Sequence, residues 1–240
     1  ATKEMVVYAN HEFDITSKTK LNYGLRQSFL LTHNGRLYFN PEPRFSVSYS
    51  INDRQSLKFS YSRMVQYLHL VSNSTITLPT DLWYPVSNRI EPQQSDQLAG
   101  GYNYLFDKIK TMVSAEAYYK RMYHLIEYRE GANLILNDDY ESELVEGNGE
   151  AYGFEFFIQK TSGKFSGWIG YTISWATRKF DALNHGKPYY AQYDRRHDLS
   201  VVGSYDFTKR FSSSFAWVYA TGQRFTPVTG MFVMPNSSLT

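Results

Sequence analysis

No cysteine occurs in the 240 residues, which excludes disulfide frameworks, thiolate nucleophiles and thiolate metal sites. No apolar run approaches the roughly 18 residues of a membrane-spanning helix, and the mean hydropathy is −0.47. An excess of charge of one sign is missing too. With 25 basic against 23 acidic residues the net charge is +2, so no nucleic-acid partner is expected. A zinc-protease His-Glu-x-x-His, a Walker lysine loop, a Gly-x-Ser-x-Gly elbow and an EF-hand loop are all absent. Gly147-Asn148-Gly149 followed by Gly153 has the wrong spacing for a dinucleotide loop and leads into a strand. The opening Ala1-Thr2-Lys3-Glu4-Met5 has neither a basic n-region nor an apolar h-region, so either a signal was removed or the sequence starts inside a longer protein.

What is present is alternation. Aromatic residues make up 17% of the chain, with 21 Tyr and 16 Phe, a composition suited to strands whose amphipathic rings sit at a membrane interface. The clearest stretch is Asn148–Arg178, a long β-hairpin turning at Ser162-Gly163. A two-residue turn there sets Ile158 opposite Gly167, Phe156 opposite Ile169, Phe154 opposite Tyr171 and Tyr152 opposite Ile173, all on one apolar face. Each arm alternates for about ten residues, longer than a usual soluble strand and close to the nine to eleven of a transmembrane one. The apolar face then points either to lipid or to a soluble core; alternation alone allows both.

Four further hairpins follow the same plan. They are Glu4–Ile15 with Leu21–Thr32, Phe45–Ile51 with Leu57–Gln66, Asp96–Phe106 with Lys110–Tyr123, and His197–Asp206 with Phe211–Thr221. Between them lie long segments without strand periodicity: His33–Pro43, Tyr67–Gln94, His124–Gly149 and Lys179–Arg196, with a tail Gly222–Thr240. Short turns and long loops thus alternate strictly, as in outer-membrane barrels with short periplasmic turns and long extracellular loops. A Greek-key sandwich would mix hairpins with crossovers. The expected fold is all-β, a transmembrane antiparallel up-and-down barrel fragment of about ten strands. By the same alternation both ends fall on the long-loop side, so residues 1–240 read as an internal fragment.

Tyr152-Gly153-Phe154-Glu155, Gly167-Trp168-Ile169-Gly170-Tyr171-Thr172 and Asp194-Arg195-Arg196-His197-Asp198-Leu199 resemble the C-terminal barrel of TonB-dependent outer-membrane receptors. Glu42-Pro43-Arg44 and Ser56-Leu57-Lys58-Phe59-Ser60-Tyr61-Ser62-Arg63 add to the series. The nearest likeness is to the Bacteroidetes type, with a carboxypeptidase-regulatory-like domain ahead of the plug. The resemblance implies a barrel of about 22 strands, closed by strands lying outside this chain, with a plug in its lumen. It also implies location in the cell outer membrane, contact with outer-membrane lipid, and coupling to the energy-transducing TonB protein through the plug. Its task would be active uptake of a scarce siderophore, vitamin or glycan. The other readings are a complete ten-stranded outer-membrane enzyme and a soluble, Tyr-rich β binding domain.

No catalytic residue, cofactor or metal is expected. Tyr67, His69, Trp83 and Tyr84, set among Ser, Thr and Pro in the longest loop, could stack on a solute, though aromatic residues also pin loops together. Asp194, Arg195, Arg196, His197 and Asp198 read as a charged network at the lumen mouth; an Asp and His in catalysis is the rarer use of such a cluster. Asp138, Asp139, Glu141, Glu143 and Glu146 could collect a divalent cation, but the spacing lacks a glycine-turned loop and a solvated acidic segment is expected. His11, His33 and His185 are isolated.

Overall fold

The computed structural model describes residues 2–71, 82–132 and 139–224. The strands are β1 (Lys3–Thr16), β2 (Thr19–Leu31), β3 (Leu37–Asn52), β4 (Gln55–Gln66), β5 (Leu68–Val71), β6 (Leu82–Pro85), β7 (Gln93–Phe106), β8 (Thr111–Tyr128), β9 (Leu144–Lys160), β10 (Phe165–Phe180), β11 (Tyr189–Tyr190), β12 (His197–Thr208) and β13 (Phe211–Ala220). The main sheet runs β1-β2-β3-β4-β7-β8-β9-β10-β12-β13, every pair antiparallel, with β11 adding to β10. It is an open up-and-down sheet of nearest-neighbour pairs.

The turns at one end are set by short polar side chains. Asn52 Oδ1 accepts from Arg54 N at 2.9 Å, and Thr208 Oγ1 accepts from Arg210 N and Phe211 N at 3.2 and 3.1 Å, closing these hairpins with local side-chain bonds. On one face apolar partners line up across the whole sheet: Leu57, Tyr102, Ala115, Phe156, Tyr171, Leu199 and Tyr219 form a single cross-strand row. This face is not a core. Phe154, Phe156 and Ile169 are 50, 47 and 43% exposed, and the other large side chains along it are similarly bare. Nothing covers them among the described residues, which fits a face solvated by hydrocarbon.

The structure corrects several expectations. In the β9–β10 hairpin Ile169 lies opposite Ile158 and Tyr171 opposite Phe156, so the register is displaced by two residues. The reason is at the turn: Thr161 N bonds Lys110 O of the neighbouring hairpin, Gly163 takes φ +103, and Phe165 and Ser166 pair with β12 instead of β9. A displacement of two preserves parity, so the two faces stand as read. His33–Pro43 is not a long loop. β3 starts at Leu37, and the β2–β3 link is a tight turn in which Thr32 Oγ1 accepts from Arg36 N at 3.0 Å, so loop length is not strictly sorted at that end. The segment Tyr67–Gln94 contains the β5–β6 hairpin and the start of β7. β8 and β9 extend well into the supposed loop His124–Gly149. They pass a bulge between Met122 and Leu125 where His124 takes φ +57, a slip that periodicity reads as a strand end. β11 likewise interrupts Lys179–Arg196.

Small buried clusters sit at the loop end of the sheet. Val71, Tyr84, Ile90, Ile126 and Tyr128 fasten the β5–β6 hairpin to β8. Leu30, Tyr38, Tyr67 and Val86 pack over β2–β3, and Leu125, Phe180 and Leu183 over β8–β10. These long connections therefore have cores of their own, while the spanning part of the sheet has none.

Candidate functional site

The long connections meet at one end of the sheet, where charge-assisted bonds fasten them. Arg129 holds Glu143 bidentately at 2.6 and 2.7 Å, Arg89 holds Asp139 at 3.0 Å, and His124 Nδ1 meets Glu146 Oε1 at 2.7 Å. Of the acids expected to be solvated, Glu143 is instead buried against Arg129, while Asp139 and Glu146 stay exposed beside Arg89 and His124. No group of His, Asp and Glu able to hold a metal occurs among the described residues, and Asp138 lies outside them.

The four aromatic candidates are not one platform. Tyr67 is buried, its hydroxyl 2.8 Å from Ser28 Oγ and accepting from Asn40 Nδ2 at 3.0 Å. Ser28 in turn donates to Glu42 Oε1 at 2.9 Å, and the same carboxylate takes Arg26, so Tyr67 caps a polar network on β2 and β3. Tyr84 is buried in a different cluster with its hydroxyl 2.8 Å from that of Tyr128. His69 pairs across the hairpin with Tyr84 and is fully buried, Nε2 lying 3.0 Å from the Glu91 carbonyl. Only Trp83 presents its ring, at 59% exposed, beside its cross-strand partner Leu70. Residue type and loop position found the segment; alternation within a hairpin hidden among prolines decided which rings face out.

His69 makes the hairpin sensitive to pH. Burial lowers its pKa, against weaker opposing effects of the Glu91 carbonyl and Glu146, with His124 adding a little to the lowering, and its Nδ1 has no partner among the described residues. The neutral ring is the docked form, so the unfolded state binds more protons. Stability is full above the ordinary histidine value of about 6.5 and is lost as pH falls through that value towards the lowered one. Amide exchange of Leu68–Val71, normalised to the intrinsic rate at each pH, should be faster at pH 5 than at pH 7.5 in the native protein. It should be insensitive to pH in His69→Leu. Equal protection at both values would reject the coupling.

The charged cluster near Asp194 is partly assembled. Asp194 is buried and accepts from Ala176 N at 2.8 Å and Arg196 Nη2 at 3.2 Å, with Arg224 Nε at 3.6 Å. Arg196 also donates to Ser174 O at 2.8 Å and lies over the Trp175 ring at 4.6 Å, while the Tyr190 ring has Arg196 at 5.2 Å and Arg224 at 4.6 Å from its centroid. His197 leaves this group and bonds Tyr171 Oη at 2.8 Å; Asp198 is a sheet residue opposite Thr172, and Arg195 contributes its carbonyl to Ser174 Oγ. Arg224 and Tyr190 were not legible from sequence spacing. These contacts tie β10 to the connection that follows it.

A comparison with family models matches residues 2–238 to the TonB dependent receptor-like β-barrel. The chain belongs to that family. It is a receptor-like β-barrel segment of the outer membrane, and no match was found among curated proteins. Several solved structures share its fold, among them three iron-related outer-membrane proteins. The FrpB iron transporter from Neisseria meningitidis (F3-3 variant) aligns with a TM-score of 0.64 at 13% identity, over 90% of this chain and 32% of its own. The ferric-catecholate import receptor Fiu from K12 E. coli gives 0.62 at 15%, over 90% and 34%. The ferripyoverdine receptor of the outer membrane of Pseudomonas aeruginosa gives 0.63 at 16%, over 91% and 31%. The chain spans about a third of the length of these three proteins.

Proposed function

We propose that this chain is the wall and mouth of a receptor that takes up a scarce solute by TonB-coupled transport, in a closed barrel of about 22 strands around a plug. The single observation carrying this is the family match over residues 2–238. Among the solute classes open to it, siderophore, vitamin or glycan, a ferric chelate is favoured, because the three structural relatives are described as an iron transporter, a ferric-catecholate receptor and a ferripyoverdine receptor. The motifs Asp194–Leu199 and Gly167–Thr172 support the finer assignment to the Bacteroidetes type with a carboxypeptidase-regulatory-like domain ahead of the plug. Within the mouth, Trp83 is the ring that meets the solute. Tyr67, His69 and Tyr84 hold the hairpin that presents it, and the Asp194–Asp198 segment braces the opposite connection.

The test follows a labelled ferric chelate in cells carrying the intact receptor. Uptake should cease with an uncoupler while surface binding persists; undiminished uptake would reject active transport. Trp83→Ala should weaken binding about three- to tenfold, the worth of one aromatic stack, without loss of assembled receptor. Tyr84 is unsuitable for this purpose, since its removal would undo the bond to Tyr128 and the hairpin with it. Unchanged binding by Trp83→Ala would reject this ring as the contact.

A further inference from the structure

The two ends of the sheet carry charge differently. Where the long connections meet, Arg36, Arg89, Arg129 and Arg178 each face a carboxylate of the same chain, at 2.5, 3.0, 2.6 and 3.4 Å. The opposite end consists of five short turns, residues 17–18, 53–54, 107–110, 161–164 and 209–210. Every one of them holds a basic side chain. Lys18, Arg54, Lys108, Lys110, Lys164, Lys209 and Arg210 stand there against only Asp53 and Asp107, and all seven are exposed. Arg54 pairs with Asp107 at 2.6 Å. Strand residues within three positions of these turns add Lys20 and Lys160 against Asp14 and Asp206, the last lying across from Lys164, and leave the surplus unchanged. Seven basic side chains against two acidic leave five positive charges in excess, in a chain whose net charge is +2. This end is a basic rim.

We propose that this rim is a docking surface for the anionic phospholipid headgroups of the adjoining bilayer leaflet. Its position chooses that occupant over a soluble acidic protein. The basic side chains begin where the apolar face stops: the exposed rings of Phe106, Phe165, Phe207 and Phe211 are each within two residues of Lys108, Lys164, Lys209 or Arg210. Two of these rings are packed against one another, Phe207 lying 5.3 Å from Phe211 and 4.8 Å from Tyr205, so the border is a continuous aromatic edge on the last hairpin. Aromatic rings at the edge of hydrocarbon, with cations just beyond, follow the order in which a bilayer presents its acyl, interfacial and phosphate layers. The charge also recurs at every hairpin from β1 to β13. A continuous layer of headgroups matches such a spread, whereas one small acidic partner would meet a single patch. Turns of two to four residues hold these cations close to the interface. At that depth a basic side chain is drawn to anionic lipid and is indifferent to zwitterionic lipid. The inference rests on the reading of the apolar face as lipid-facing, and the test separates the two.

The intact receptor, with a single cysteine at Phe106→Cys or at Leu98→Cys and a bimane label on it, is reconstituted in phosphatidylcholine vesicles. These contain about 10 mol% brominated phosphatidylglycerol or brominated phosphatidylcholine. Leu98 is on the same face towards the other end, opposite Tyr61 and Tyr119. At position 106 the brominated phosphatidylglycerol should quench about threefold more than the brominated phosphatidylcholine, and at 98 the two should quench equally. The preference at 106 should vanish in the combined variant Lys18→Gln, Lys108→Gln, Lys110→Gln, Lys164→Gln, Lys209→Gln and Arg210→Gln. It should vanish without these substitutions in about 0.5 M salt, where screening shortens the reach of surface charge to a few ångström. Equal quenching by both lipids at 106 in low salt would overturn the docking surface and leave the rim to a soluble acidic partner. A preference that survives either the substitutions or the salt would also overturn it, as would an equal preference at 98. Absence of quenching at 106 and 98 alike would overturn the lipid-facing reading and the docking surface together.

Discussion

Phe156→Arg and Ile169→Arg should each destabilise the assembled receptor by about 2–4 kcal/mol, the cost of a basic residue near the bilayer midplane. Both positions are on the apolar face, half exposed, and each is flanked on both neighbouring strands by other large apolar or small residues. Phe156 lies between Ala115 and Tyr171, and Ile169 between Ile158 and Val201. The residues paired with either site include no carboxylate for a new guanidinium to meet. Asn103→Arg is the control, because Asn103 is on the opposite face between Ser56 and Ser114, where a charge meets water and polar side chains. The measurement is heat-modifiable migration of the three variants in outer membranes, with urea titration of the assembled form. Equal loss in all three, or loss confined to Asn103→Arg, would mean that the faces are reversed.

Asp194→Ala should release the connection between β10 and β12. The carboxylate is the common acceptor for the Ala176 backbone amide and the Arg196 guanidinium, with Arg224 adjoining, and it is buried. Hydrogen bonds to a charged group contribute about 1.5–3 kcal/mol, and here several depend on one side chain. Both arginines retain access to solvent, so the loss is set by the vanished acceptor and not by stranded charge. A loss of about 2–3 kcal/mol corresponds to roughly 30- to 150-fold faster amide exchange through Tyr189–Tyr190 and Ala191, whose amide bonds the Ala176 carbonyl at 2.9 Å. Asp194→Asn, which keeps one acceptor oxygen, should give a smaller change. Exchange in β7 and β8 should be unaffected, since those strands share no partner with Asp194. Unchanged exchange at Tyr190 and Ala191 would show that the contacts of the Tyr190 ring with the two arginines suffice without the carboxylate.

The hairpins of the spanning region could be read from sequence because each strand obeys a period of two over more than ten residues, and because turns such as Asn52-Asp53-Arg54 announce themselves by side-chain chemistry. Parity was secure even where register was not: Phe156 was placed on the right face but opposite the wrong residue. Side-chain alternation is local, whereas the pairing depended on Thr161 reaching Lys110 in another hairpin.

The mouth was legible only as composition. Trp83, Tyr84, Tyr67 and His69 marked the right segment, yet burial divided them. Whether a ring is a platform or a peg depends on what packs behind it, and Tyr84 finds Tyr128 from a strand 44 residues away. Arg224 reaches Asp194 in the same way, across a separation that no spacing encodes. Sequence by itself determined the hairpins of the spanning region, the two faces and the family, since these follow from short-range periodicity and motif order. Tertiary structure alone decided which polar groups meet at the mouth, because those partners come from different hairpins and are joined by packing.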